Sequence, residues 1–155
     1  MLEPKKFVDP LPVNNGQKSQ LILELRVTGC VLAPPSVRPS GEQLVWREPL
    51  QEARVVNPVA IQELATDIAL AALFGRHWPG QGSRHDAYLL LAGALLSSGL
   101  TKERVAWIFR GICAVTGDTE IADRLRAIET TEQKSERANG LADGARLADL
   151  LTKES

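Results

Sequence analysis

Net charge is nearly absent: 18 Lys and Arg stand against 19 Asp and Glu, leaving −1. That balance gives no electrostatic ground for a nucleic acid or an anionic membrane as partner of the whole chain, and it confines any nucleic-acid contact to a local basic patch. Cysteine is scarce as well. Cys30 and Cys113 lie far apart, one in an expected strand and one in an expected apolar helix. Arithmetic permits a disulfide, but nothing else marks a secreted scaffold, so two reduced, buried thiols are expected. Two His and two Cys without tight spacing argue against a zinc site. The N-terminus from Met1 to Lys6 carries no apolar run before a cleavage site. No apolar stretch approaches a membrane span; the longest, around Ala87 to Leu100, is broken by Gly93, Ser97, Ser98 and Gly99. No membrane partner is expected, and the expected compartment is a reducing cytoplasm. Also missing are a Walker-type phosphate loop, a Ser/His/Asp arrangement and a helical metal pair.

What is present divides into three parts within 155 residues. Residues 1–20 are polar and broken by Pro4, Pro10, Pro12 and Gly16, with a turn signal at Asn14-Asn15-Gly16, and read as an irregular lead-in without a core. Residues 21–48 read as β-structure. Leu21, Leu23, Leu25 and Val27 alternate with Ile22, Glu24 and Arg26. Thr28-Gly29 closes a turn into a second, more buried strand, Cys30 to Ala33, which Pro34-Pro35 stops for want of backbone donors. Ser40-Gly41 turns again into a short strand, Gln43 to Arg47, carrying Trp46. Three short strands are too few for an independent sheet, so this segment is the tail of a larger sheet or an appendage on helices.

After a connector over Pro49 to Val56, residues 57–152 read as a helical bundle with short connections. Asn57 caps the first helix with Pro58 at its first position, and a stripe through Ile61, Leu64, Ala65, Ile68, Ala69, Ala72 and Leu73 runs to Phe74-Gly75. Ser83 caps a second helix that buries Ala87, Leu90, Leu91, Ala94 and Leu95. Thr101 caps a third, with Val105, Ile108, Phe109 and Ile112 inward and a stop at Gly117; Trp107 also suits it to packing. Asp118 caps a fourth through Ile121, Leu125 and Ile128, fading near Asn139-Gly140, and a last short helix covers Ala145 to Leu151. The expected fold class is α+β, mostly α: a short β-segment followed by a compact helical bundle.

Four places could carry chemistry. Asp118 and Glu120 sit one residue apart, but at a helix start, where acidic groups offset the dipole, so capping is the expected role. Glu24 stands in an otherwise apolar strand and must face solvent, a partner or a metal; an edge-strand charge paired with Arg26 is the plain alternative. The loop from Gly75 to His85 gathers Arg76, His77, Arg84 and His85 around Gly80, Gly82 and Trp78, ahead of a helix N-terminus whose free N–H groups attract anions. A phosphate or single-stranded nucleic acid fits there, with Trp78 as a stacking platform, against the alternative of a helix end, a buried Trp and a surface loop. Leu95 to Arg104 is helix, Gly turn, helix. That admits a helix-turn-helix with Lys102, Arg104 and Arg110 as contacts, although an ordinary antiparallel helix pair explains it with less.

Taken together, Glu24-Leu25-Arg26, then Val31 to Glu42 with its Ala33-Pro34-Pro35-Ser36 and Pro39-Ser40-Gly41-Glu42, then Trp46, resemble the closing part of the bifunctional primase-polymerase domain of phage and plasmid replication proteins. Ala69 to Pro79, Gly80 to Leu100 and Ala114 to Ile128 resemble the helical segment that follows that domain, so the likeness spans roughly Leu21 to Leu151. In that family an acidic pair, a histidine motif and a later strand carboxylate hold divalent metal for nucleotidyl transfer. The resemblance implies that Glu24 is the third of these, a catalytic metal ligand, and puts Arg26 and Arg38 near triphosphate or template. It also implies Mg or Mn as cofactor, if a partner segment completes the site. Nothing before Leu21 supplies the acidic pair or the histidine, and His77 and His85 come too late to fill that role. The expectation is therefore a truncated or split replication protein of a phage or mobile element that makes no primers alone. Single-stranded DNA is its expected partner, with a missing primase-polymerase half or a helicase as another. A non-catalytic module that binds single-stranded DNA, and a prophage remnant without function, are the alternatives.

Overall fold

The computed structural model describes residues 2–11, 20–48, 52 and 55–135, with side chains to residue 131. The expected turn at Asn14-Asn15-Gly16, the fading near Asn139-Gly140 and the Ala145–Leu151 helix lie outside the described residues.

The lead-in contains a strand. Lys5–Val8 (β1) pairs antiparallel with Leu21–Leu25 (β2) as a two-stranded sheet. Lys5 stands opposite Leu25, Lys6 opposite Glu24 and Phe7 opposite Leu23, with an irregularity before Val8 meets Leu21. The prolines of the lead-in bound this strand rather than prevent it, because none falls between Lys5 and Val8. The other two expected strands do not form. Cys30 to Ala33 enters no ladder, and of Gln43 to Arg47 only Gln43 makes an isolated bridge, to Val37. The prolines between them favour local closure instead. Ser36 donates to the Ala33 carbonyl, Gly41 to that of Arg38, and Arg38 to that of Glu42. Gly41 makes the turn with φ of +86°, where a side chain would be strained. Cys30 is therefore exposed, against its expected burial, and Trp46 is exposed too.

The helices follow their caps. Helix α1, Pro58–Arg76, starts where the Asn57 side chain accepts the Val59 N–H, with Pro58 supplying a preset φ. Helix α2, Arg84–Ser97, begins after Ser83, which gives no side-chain cap, and ends before Gly99 at φ of +89°. Helix α3, Lys102–Thr116, is capped by Thr101 accepting from Arg104 N–H, and Gly117 closes it in the left-handed region. Helix α4 is Ile121–Ser135. Before it, Asp118 Oδ1 accepts the Glu120 N–H while Oδ2 accepts from Arg124 Nε, so the Asp118–Glu120 pair serves a helix start.

Neighbours in sequence are not the principal neighbours in space. Helix α1 packs mainly on α3, and α2 mainly on α4. Arg104 reaches Glu63 and Asp67, Gly111 abuts Ala71 and Gly75 abuts Val115, so α1 and α3 run side by side in the same direction. The contact is close: a Cβ on Gly111 would lie 2.8 Å from that of Ala71. The core gathers Leu91 and Tyr88 from α2, Val105, Ile108, Phe109 and Ile112 from α3, and Ile128 from α4. Phe109 is buried as expected, whereas Trp107 is 67% exposed. It stands on the face of α3 beside α1, where neither α2 nor α4 covers it. One expectation about length also changes. Helix α1 is long and apolar enough to cross a membrane by length and composition, although its Asp67 is bidentate to Arg104 of α3 within the bundle.

Candidate nucleic-acid interface

The ribbon β1–β2 touches the bundle at the end of α1. Asp9, one residue past β1, is fully buried. Its Oδ1 accepts the Leu11 N–H at 3.1 Å, a local turn that fixes the carboxylate. Its Oδ2 meets Arg76 Nη1 at 3.0 Å and His77 Nε2 at 2.7 Å. Burial alone would push the Asp9 carboxyl up. The hydrogen bonds from His77, Leu11 and Arg76, with the charge of His77, outweigh it and leave the group below its ordinary value. The backbone N–H of Asp9 also donates to the Gln20 carbonyl, closing the ribbon. Asp9 falls in the segment expected to be irregular and without a core. Its partners lie 67 and 68 positions away, and the sole local signal is the Asp9-Pro10 pair, a turn former.

Glu24 lies three residues along β2 from Leu21. Arg26 Nε donates to its Oε2 at 2.8 Å, and Lys6 Nζ lies 3.4 Å from Oε1. The Arg26 hydrogen bond, ahead of the Arg26 and Lys6 charges, holds its carboxyl below the usual range. Two cations thus satisfy one carboxylate, and among the described residues no group of three His, Cys, Asp or Glu comes together as a metal ligand set. A two-metal centre needs several anionic oxygens converging on shared ions. The residues around Glu24 do not fit one, and no metal-dependent step can be built on them.

The other basic residues singled out from the sequence lie in different parts of the fold. Arg38 belongs to the turn, where it pairs with Glu42 at 2.9 Å, both exposed. Arg76, Arg84 and His85 share the α1–α2 end of the bundle. Arg76 keeps its side chain 39% exposed while anchored on Asp9. Arg84 Nε donates to the Pro79 carbonyl at 3.3 Å, holding it on the first turn of α2, and His85 is exposed beside it. Trp78 is not an open stacking platform: its ring packs on Tyr88 with centroids 4.6 Å apart. Of the helix-turn-helix contacts, Arg104 is occupied by Asp67 and Glu63.

A second polar cluster lies inside the bundle. Tyr88 Oη is 3.1 Å from Cys113 Sγ, and the Arg124 guanidinium lies 5.2 Å over the Tyr88 ring while pairing with Asp118 and Glu120. Burial first, then the contact with Cys113, pushes the Tyr88 hydroxyl up; burial likewise pushes up the Cys113 thiol. Both stay protonated in neutral water and serve packing.

Comparison with protein-family models, with curated proteins and with solved structures returns no match.

Proposed function

We propose that this chain works in DNA replication in the cytoplasm, as a piece related to primase-polymerases that holds single-stranded DNA and does not itself synthesise primers. The observation that carries the reading is the grouping of Arg76, Arg84 and His85 at the α1–α2 end, where Asp9 fixes Arg76 against the ribbon. Arg76 and Arg84, each held by a partner and each partly accessible, suit a phosphate backbone. The near-neutral net charge means that binding depends on this patch alone.

The sharing of the Glu24 carboxylate by Arg26 and Lys6 supports a chain that is not catalytic by itself. A second reading rests on the ribbon. Its two strands pair only with each other among the described residues, and open strand edges accept further strands. Added strands from a missing primase-polymerase half would bring the other carboxylates to Glu24, and Mg or Mn with them; a helicase is the other candidate partner.

Fluorescence anisotropy with a labelled single-stranded oligonucleotide tests the first reading. Expected are binding that weakens steeply as salt rises, and further weakening in Arg84→Ala. Absence of binding at low salt, or binding indifferent to Arg84→Ala and to salt, rejects it. Template-dependent synthesis in Mg or Mn that vanishes in Glu24→Ala would overturn the non-catalytic assignment.

A further inference from the structure

The parallel pair α1–α3 leaves an open groove of about 720 Å³. Leu64 and Ile68 of α1 and Trp107 and Val115 of α3 line it, and they are 57%, 48%, 67% and 66% exposed. Large apolar side chains exposed together on one face mark a contact surface. The groove also carries charge of both signs. Glu63, half exposed, makes one contact to Arg104, which Asp67 already holds through two oxygens. Arg110 is exposed and forms no ion pair with the described residues.

The same face therefore offers a knob and a hollow, an acid and an exposed base, which is the requirement for pairing with itself across a two-fold axis. The spacing fits. Gly111 meets Ala71 and Val115 meets Gly75, so a position on α1 is level with one about 40 further on in α3. Glu63 and Arg110 are then separated along the pair by about seven residues, roughly 10 Å at helical rise, with Trp107 midway between their levels.

We propose that this groove is the self-association surface of the chain. A second copy lies antiparallel across it, Trp107 meets its counterpart near the two-fold axis, and Arg110 of each copy pairs with Glu63 of the other. This does not rest on the DNA-binding reading.

Sedimentation velocity on the full chain from about 1 to about 200 μM tests it, a range that brackets micromolar association. A concentration-dependent dimer is expected. Trp107→Glu should raise its dissociation constant at least about tenfold, as loss of a central aromatic contact does. Arg110→Glu should weaken it too, and Glu63→Lys with Arg110→Glu should recover most of the loss. All three side chains are exposed, and circular dichroism verifies that each monomer keeps its helices. A chain that stays monomeric throughout, whether it remains free or binds phospholipid vesicles, overturns the proposal. So does a dimer indifferent to Trp107→Glu, or a charge swap that recovers nothing.

Discussion

Oδ2 of Asp9 lies 2.7 Å from Nε2 of His77 and 3.0 Å from Nη1 of Arg76, so one buried carboxylate ties the N-terminal ribbon to the end of α1. The ribbon has no core of its own, and this polar contact joins it to α1 beside the contacts that β2 makes with that helix. Asp9→Asn keeps the shape and removes the charge, and should cost about 2 kcal/mol, the range for hydrogen bonds to a charged group. Because the folded pKa of Asp9 lies below its ordinary 3.8, the charged contact contributes fully above that value and is lost as pH falls through the folded one. Urea unfolding of wild type and variant should differ at pH 7 and converge in strong acid. Equal stability at pH 7 would show that the ribbon docks without this contact.

Glu24 is the contrasting carboxylate. Its partners Arg26 and Lys6 are 61% and 70% exposed, and exposed pairs contribute little. Glu24→Gln should leave the urea midpoint of unfolding close to that of wild type. Calorimetric titration with Mn should give the same heats for wild type and variant. A saturable Mn site lost in Glu24→Gln would mean that the carboxylate works without a completed sheet.

The approach of α1 to α3 depends on Gly111. An added Cβ would lie 2.8 Å from the Ala71 Cβ, so the backbones must part. Gly111→Ala should destabilise by about 1–3 kcal/mol despite its better helix propensity, the usual cost of overpacking. Ala71→Gly in the same chain should relieve the clash and return part of the loss. Thermal unfolding of the two single variants and the double variant forms the cycle. A Gly111→Ala chain as stable as wild type would mean a looser contact.

The two thiols should react unequally. Cys30 is exposed, while Cys113 is buried against Tyr88 with its thiol pushed up by burial. A thiolate is the reactive form. Titration with an aromatic disulfide reagent should release one equivalent promptly under native conditions and the second on unfolding. Two prompt equivalents would place Cys113 within reach of solvent.

The bundle was legible because its signals are local. Asn57-Pro58, Thr101 and Gly117 each fix a helix end through their own side chain or φ, with no need of a distant partner. The stripe Val105, Ile108, Phe109 and Ile112 states its burial by spacing alone. Trp107 misled because an aromatic residue on an amphipathic helix reads as core whichever face it occupies. The strands at Cys30 and Gln43 misled because apolar composition suggests a strand, but a strand needs a neighbour to bond.

The sequence by itself determined the α+β class, the helix ends and most of the inward faces, since these follow from backbone sterics, capping and period. Only the tertiary structure decided that Lys5–Val8 pairs with Leu21–Leu25, that α1 lies along α3 rather than α2, and that Asp9 meets Arg76 and His77. Each of those depends on which surfaces fit at long range. A buried carboxylate between an arginine and a histidine leaves no periodic trace along the chain, because its free energy comes from groups that are neighbours only after folding.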